Sequence, residues 1–455
     1  MNQRANFGLA LALMAIVTSA CSAPVTNPRR TALCEANPPP ARLVRYLSAQ
    51  IDDALSPSYG LVLEDRDGIP TRILNLSAWQ LESTGEIPTS LAEELAIART
   101  RWDAWRVRSA GAGAMQNDGF ERFTDTILPE DAAHRICSPI EISQASLDAG
   151  DSISIGVGLN FAAHAAEAGD DDGIFLFPKI SEPTGADQTF ERPEAVHLLD
   201  YEVELGFVVL EDLDLGALPN RDELNRQLAY FQANDVSDRE PIITGTRAHF
   251  TEAKSLPGAY PIGPWLVHGA DLRPFSDSCV RPLRMQLEVD ERGARSLRQY
   301  SNTSFMLNDA HALLVQIGEF ARERLDQAGA PVVDAVFRKS NWKFPIAKRV
   351  TTHSMGERLI LPAGSIVATG TPEGVSVQSP DVLAVTVRAL AHFRDPFSQF
   401  LAEQREALDA EGYLEDGDIV EARIEQLGTQ RWRVERKAPP AAAGVPTPLD
   451  PCRSR

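Results

Sequence analysis

Cysteine, methionine and tryptophan are scarce in this 455-residue sequence, at five, six and six residues. The cysteines, at positions 21, 34, 137, 279 and 452, show no metal-site spacing, which excludes a zinc finger or ribbon. A zinc-binding HExxH is missing as well. Positive charge is short: 44 Lys and Arg against 64 Asp and Glu leave a formal charge of −20 and a pI of about 4.9. With no basic stripe to neutralise phosphates, nucleic acid is not an expected partner. The stretch GVGLNF at 156–161 lacks the third glycine of a dinucleotide fingerprint, so a Rossmann reading is poor. There is no internal repeat. What remains, 43% hydrophobic and 24% charged, is the composition of a globular protein long enough for two or three domains.

Long hydrophobic runs are also absent. The one near the start, FGLALALMAIVTSA at 7–20 behind Arg4, is too short to span a bilayer but suits the apolar region of an export signal. It ends in TSAC, which looks like a lipobox with Thr18 in place of the usual Leu, Val or Ile. Residues 1–20 are therefore expected to be a signal peptide. Cys21 would be lipidated, placing the protein in a bacterial envelope, facing the periplasm on a lipid anchor. Ser22 favours the outer membrane; an ordinary signal cut near Ala20 or Ala23 is the alternative. Residues 21–41 read as a Pro-rich tether and 438–455 as a flexible tail. Export makes the four remaining cysteines disulfide candidates, with three connectivities possible. Cys34 with Cys137 and Cys279 with Cys452 is the expected pairing, because it would pin both termini.

Between tether and tail the patterning is mainly β. Residues 42–140 open with a strand, a turn at Asp67 and Gly68 and another strand, and are expected to form a small N-terminal domain. Residues 152–169 read as a strand, a glycine turn and an Ala-rich helix. Leu283, Met285, Leu287 and Val289 alternate before a turn in DERG at 290–293, a hairpin signal. A helical stretch is expected to end in LAYF at 228–231. Two further helices are expected: one with Leu313, Leu314, Ile317, Phe320, Ala321 and Leu325 on one face, another over 395–412, with Phe397, Phe400, Leu401 and Leu408 on its apolar side.

In LLDYEVELGFVVLED (198–212), Tyr201, Val203, Leu205, Phe207 and Val209 alternate with Asp200, Glu202, Glu204 and Gly206, the period of a strand. Glu202 and Glu204 then share a face with stems roughly 6 to 7 Å apart, where like charges raise each other's pKa. A bound cation and solvent are both answers to that pairing. Asp235 in FQANDVSDRE adds a third carboxylate, and oxygen-only ligands suit Mg²⁺, Mn²⁺ or Ca²⁺. His164 and Glu167, three apart in an Ala-rich helix, could form an oriented acid–base dyad or an incidental surface pair. Arg239 and Lys254 lie in loops rich in Gly and Pro.

Taken in order, GLNFAAHAAE (158–167), FLFPK (175–179), LDYEVELG (199–206), ANDVSDRE (233–240), AKSLPGAYPIGPWLV (253–267), the hairpin, LILPAGSIVATGTPEGV (359–375) and LEDGDIVEARIEQLGT (414–429) resemble the fumarylacetoacetate hydrolase family. The resemblance covers most of residues 150–430. It implies an α+β fold, mainly β, with mixed, rolled sheets and short helices, and a catalytic domain over 150–435 carrying insertions near 326–353 and 376–412. It makes Glu202, Glu204 and Asp235 ligands of a divalent cation, Mg²⁺ or Mn²⁺ with Ca²⁺ also suited. His164, Glu167 and Lys254 become catalytic, and Arg239, Lys179 and Thr371 substrate-binding. It further implies a homodimer.

The sequence departs from the family pattern at Ile242, where glutamine is common, at Phe161 for tyrosine, in PAGS at 362–365 for PGD, and at Ser376 for glycine. The expected activity is hydrolysis of a carbon–carbon bond in a 1,3-diketo acid or acylpyruvate-like oxo acid. Decarboxylase, isomerase or hydratase chemistry on a shared enolate is the alternative, and a non-catalytic metal- and carboxylate-binding lipoprotein is a reading of another class.

Overall fold

Asp67 and Gly68 take φ of 56° and 83°, and Arg292 and Gly293 take 55° and 97°. Paired left-handed residues are what a tight hairpin turn demands, so both expected hairpins form where their Asp-Gly and Arg-Gly steps stand. The structure, a computed structural model, describes residues 33–34, 39–52, 54–110, 121–149, 151–168, 173–244, 249–328, 348–352, 356–377, 396–406, 412–437 and 452. The expected signal peptide, Cys21 and most of both the tether and the tail lie outside the described residues, as do much of the two expected insertions and Leu408.

The described strands run β1 (Arg42–Ser48), β2 (Ser56–Arg66), β3 (Ile69–Asn75), β4 (Thr124–Thr126), β5 (Ser154–Gly158), β6 (Phe175–Pro178), β7 (Asp187–Arg192), β8 (Leu199–Asp200), β9 (Val203–Val209) and β10 (Leu213–Asp214). They continue with β11 (Leu228–Asn234), β12 (Ser237–Asp238), β13 (Trp265–His268), β14 (Arg284–Glu291), β15 (Ala294–Asn302), β16 (Lys348–Thr352), β17 (Gly356–Leu361), β18 (Ile366–Ala368), β19 (Ile419–Ile424) and β20 (Gly428–Arg436). One sheet has ten strands in the order β4-β3-β2-β1-β13-β11-β9-β18-β5-β6, and a second has five, β15-β14-β19-β20-β7. Two small sheets, β10-β17-β16 and β12-β8, complete a mixed α+β architecture dominated by strands.

Residues 42–140, expected as a small N-terminal domain, contribute β1–β4 to the ten-stranded sheet through the β1–β13 ladder. Their buried side chains, among them Leu43, Leu61 and Ile73, belong to the same core as Leu205, Phe207 and Leu287. The two large sheets are also tied by polar side chains. Gln232 on β11 donates to the Ala422 carbonyl at 2.8 Å and accepts the Ile424 N–H at 2.5 Å, while Gln430 on β20 donates to the Gln232 carbonyl at 2.9 Å. In so buried an interface each unpaired backbone group would cost roughly 1–3 kcal/mol, so these amides fix the stacking of sheet on sheet.

The helix expected around 313–325 spans Ala310–Ala328 and buries Leu313, Leu314, Ile317 and Ala321, with Phe320 partly covered. The later helix starts at Pro396, as its Asp-Pro step predicts, and is described to Glu406. Its Phe400 and Leu401 pack against Leu198, Ile243 and Tyr413.

Three expectations need correction. LAYF is not the end of a helix: a short helix covers Arg221–Asn225, and Leu228–Asn234 is strand β11. Tertiary burial on both faces suits its aromatic residues to a sheet interior and overrides local helical patterning. The 198–212 run is not one continuous strand with the two glutamates facing solvent; it breaks at Tyr201 and Glu202 into β8 and β9, and all seven residues of β9 are buried between β11 and β18. The disulfides are Cys34–Cys279 and Cys137–Cys452. Leu33 bridges Val280 in parallel and Cys34 donates its N–H to the Val280 carbonyl at 3.3 Å, which places Cys279, not Cys137, opposite Cys34. Both termini are pinned, but each to a different part of the body.

Candidate metal and acid–base site

Where β9 begins, Glu202 and Glu204 flank Val203, and Val203 pairs with Asn234 at the end of β11. The Asn234 side chain accepts the Glu202 N–H at 3.0 Å, and Asp235 donates its N–H to the Glu202 carbonyl at 2.9 Å. This knot fixes the three acids together, and one carboxylate oxygen from each of Glu202, Glu204 and Asp235 lies within 4.8 Å of the other two. All three are buried.

Three buried cations surround them. Lys254 donates to Glu202 Oε2 at 2.7 Å and Asp235 Oδ2 at 2.9 Å. Lys179 donates to Asp235 Oδ1 and to the Lys254 carbonyl, with its ammonium 4.4 Å from the Tyr260 ring centre. Arg239 donates from Nε to Asp200 at 2.8 Å and from Nη2 to Glu202 Oε1 at 2.6 Å. Burial pushes the Glu202 carboxyl up, but Lys254, Arg239 and His164 outweigh it and hold the group down at about 2. Burial lowers the Lys254 ammonium, and Asp235 and Glu202 more than reverse this, so it stays charged.

Glu204 is less well met. Burial, then the Asp235 and Glu202 charges, drive it well above the usual carboxylate range, and the Lys254 charge and the Gly370 N–H at 3.0 Å offset only part of this. Four buried acids (Asp200, Glu202, Glu204, Asp235) thus face three buried bases (Lys179, Arg239, Lys254), and Glu204 is the acid whose charged form the site disfavours until a further cation arrives. An all-oxygen trio with one more acid than base around it fits a hard divalent cation.

The His164–Glu167 pair is real and oriented. Both lie on the helix Ala162–Ala168, with His164 Nδ1 3.2 Å from Glu167 Oε2. Both Glu167 oxygens accept the Gly374 N–H at 3.2 Å. Gly374 has φ of 99°, and a Cβ there would stand 2.1 Å from the Arg298 carbonyl oxygen. Only glycine fits this approach. The 369–374 loop therefore reaches Glu204 through Gly370 and Glu167 through Gly374.

Thr371 and the departures from the family pattern take defined places. Thr371 donates its hydroxyl to the Val203 carbonyl at 3.1 Å and accepts from Gln299 at 2.9 Å. Lys179, Arg239 and Thr371 thus all bond protein groups in the site wall. Ile242 is half-buried on the short helix Arg239–Thr244. Phe161 is buried and bridges Met306. Ser376 donates its N–H to Asp200 at 3.1 Å and its hydroxyl to the Gly412 carbonyl at 2.9 Å, a bond that glycine could not make.

The family profile described as fumarylacetoacetate (FAA) hydrolase, C-terminal, matches residues 154–326 and 329–435, more than half of the chain. The chain belongs to the fumarylacetoacetate hydrolase family. This family is enzymatic, with hydrolase and isomerase members, acts on small molecules and typically binds a divalent metal. Among its relatives, Protein Rv2993c of Mycobacterium tuberculosis is 24% identical over 245 residues, covering 53% of this chain and 73% of the relative. An uncharacterized protein of Archaeoglobus fulgidus is 24% identical over 281 residues, covering 61% and 76%. A crystal structure described as a probable 2-hydroxyhepta-2,4-diene-1,7-dioate isomerase from Mycobacterium abscessus aligns with a TM-score of 0.50 at 17% identity, covering 88% of this chain and all of that one. That likeness shows the fold alone.

Sequence reasoning about this fumarylacetoacetate hydrolase family member missed Asp200, Asn234, Gln299, Gly370 and Gly374 as parts of the site. The two glycines stood inside the quoted ATGTPEGV segment. Gln299 gave no signal, since an amide in a hairpin strand reads as solvent-facing.

Proposed function

We propose that the protein is a metal-dependent hydrolase that cleaves a carbon–carbon bond in a 1,3-diketo acid or acylpyruvate-like oxo acid. The observation that carries this reading is the single loop, residues 369–374, that bonds both a metal-type carboxylate and the carboxylate of a histidine dyad. Glu202, Glu204 and Asp235 would hold the cation, which when bound supplies Lewis-acid polarisation of the oxo-acid oxygens. With Nδ1 engaged by Glu167, His164 keeps Nε2 to take a proton from water. The hydroxide adds to the distal carbonyl carbon. Collapse of that adduct breaks the carbon–carbon bond, the electron pair leaves as an enolate, and His164 returns its proton to the enolate carbon. Lys254, charged and buried, is the donor available to the developing enolate oxygen.

Turnover of a panel of oxo acids with Mg²⁺ or Mn²⁺ tests this. A carboxylic acid and a shorter oxo acid as products support it. Carbon dioxide release or simple isomerisation moves the enzyme to the family's other chemistry, and no turnover on any member leaves the binding-protein reading in its place.

Location and assembly belong to the same proposal: a lipoprotein acylated at Cys21, facing the periplasm, and a homodimer. The two disulfides suit an oxidising compartment, and exposed Leu297, Tyr300, Phe305 and Leu307 suit a covered face. Among the described residues no helix is long and apolar enough to cross a membrane. Mass spectrometry of the mature N-terminus decides the anchor, and sedimentation decides the dimer.

A further inference from the structure

Gln299 lies on β15, outside every segment that supplies an acid or base to the site, and it is fully buried. Its side-chain oxygen accepts the N–H of Val203, the residue between Glu202 and Glu204, at 2.9 Å. Its side-chain nitrogen donates to Thr371 Oγ1 and to the Pro372 carbonyl, both at 2.9 Å. Thr371 closes the ring by donating to the Val203 carbonyl at 3.1 Å. Both polar groups of the peptide unit region around Val203 are thus met by one amide and one hydroxyl.

The loop that Gln299 grips is the one whose two ends bond the site. Two residues before Pro372, Gly370 donates to Glu204 at 3.0 Å; two residues after it, Gly374 donates to Glu167 at 3.2 Å. Close backbone packing reinforces the link, because a Cβ at Gly374 would run into the Arg298 carbonyl and the Gln299 Cα.

We infer that Gln299 is a positioning residue that sets the metal-ligand pair Glu202–Glu204 and the His164–Glu167 dyad in one register. It touches neither a ligand oxygen nor the imidazole. It acts by locking the β9 backbone to the loop, so that the carboxylates and the dyad cannot shift independently. Buried amides that hold ligand-bearing backbone are outer-shell partners, and their loss typically weakens metal affinity by about 10- to 100-fold. The inference rests on the metal reading for one of its two measurable consequences only.

Gln299→Met keeps the volume and removes all three hydrogen bonds. Mn²⁺ titration of the full chain, well below its melting temperature, should give a dissociation constant raised by about tenfold or more. Amide hydrogen exchange in the metal-free protein should accelerate at Gly370 and Gly374. Tyr230→Phe is the control. It removes a buried 2.7 Å bond from Tyr230 on β11 to Asn225 on the helix Arg221–Asn225, so it lowers the melting temperature without moving either readout. Should Gln299→Met fail to fold, Gln299→Asn, which withdraws the same amide by one methylene, carries both measurements. A dissociation constant within twofold of a wild type that does bind Mn²⁺, or unchanged exchange at both glycines, overturns the inference. A wild type that takes up no Mn²⁺ instead overturns the metal reading, and the exchange measurement still decides the role of Gln299.

Discussion

Lys254 stands between Glu202 and Asp235 and donates from one ammonium to a carboxylate of each, at 2.7 and 2.9 Å. A cation held by the same two acids would share their oxygens with this lysine, so the metal-free site is held together by Lys254. Replacing it with Met leaves two buried carboxylates short of a partner, which costs on the order of 3–5 kcal/mol. Lys254→Met should therefore melt lower than wild type without metal and recover more on adding Mg²⁺ than wild type does, with turnover of an oxo acid lost. Equal metal responses in the two proteins, followed by calorimetry, would show that Lys254 and the ion do not compete for the same charges.

Glu204 behaves in the opposite sense. Burial and its acidic neighbours disfavour its charged form, so Glu204→Gln, which is always neutral, should leave the metal-free protein at least as stable as wild type while abolishing its response to divalent ions. Wild type gains about 2.7 kcal/mol at a hundredfold excess of ion over its dissociation constant, by mass action alone. Thermal melts of both proteins over a Mg²⁺ series check this. A wild type indifferent to the ion would count against Glu202, Glu204 and Asp235 as its ligands.

His164→Ala should lower turnover by about 10²-fold or more with divalent-ion affinity little changed, as expected of a general base. Glu167→Gln keeps the size and the contact to Gly374 but weakens the hold on the imidazole, so its loss should be smaller. A fully active His164→Ala enzyme would remove the dyad from the chemistry.

Much of this site was legible in the sequence because its signals are local. The nearness of Glu202 and Glu204 follows from their i, i+2 spacing at the start of a strand, the His164–Glu167 pair from helical period, and both hairpin turns from residues able to take positive φ. What could not be read depends on contacts across long separations. Val203 meets Gln299 across 96 residues and Thr371 across 168, and no pattern in either segment announces the partner. The disulfides failed for the same reason: pinning both termini was the right constraint, but the pairing depends on Cys34 lying beside Val280. The helix expected to run into LAYF lost to a sheet that buries every residue of β11.

Glu94 supplies a pH effect away from the site. It lies on the helix Leu91–Ala110 at 2% exposure, and among the described residues neither carboxylate oxygen has a hydrogen-bond partner. Burial, with a smaller push from Glu93, raises it from 4.5 to about 7. A raised carboxyl favours the folded state while it is protonated. This contribution is complete below pH 4.5 and is lost as the pH rises to about 7, a change on the order of 3 kcal/mol. Glu94→Gln should match wild type near pH 4 and exceed it above pH 7 in denaturant melts. Parallel stability curves across that range would show that the carboxyl is ionised and solvated in the fold.

The disulfides join residues 245 and 315 positions apart, Cys34 to Cys279 and Cys137 to Cys452. Closing loops this long removes about 5 kcal/mol of unfolded-state freedom in the chain-entropy account, and losing a native bridge commonly costs about 2–5 kcal/mol. The Cys137–Cys452 bridge ties Cys452, beyond β20 with its last residue at Arg436, to the body of the fold. Cys137→Ser with Cys452→Ser should therefore lower stability by about 2–5 kcal/mol while leaving turnover unchanged, because neither cysteine belongs to the 369–374 loop or the acid cluster. Peptide mapping of the oxidised protein without reductant is expected to recover Cys34 linked to Cys279 and Cys137 linked to Cys452, with no free thiol at any of the four. A Cys34–Cys137 peptide would contradict the placement of Cys34 beside Val280. Recovery of all four as thiols from protein isolated under alkylating conditions would count against export, since a reducing compartment keeps such cysteines unpaired.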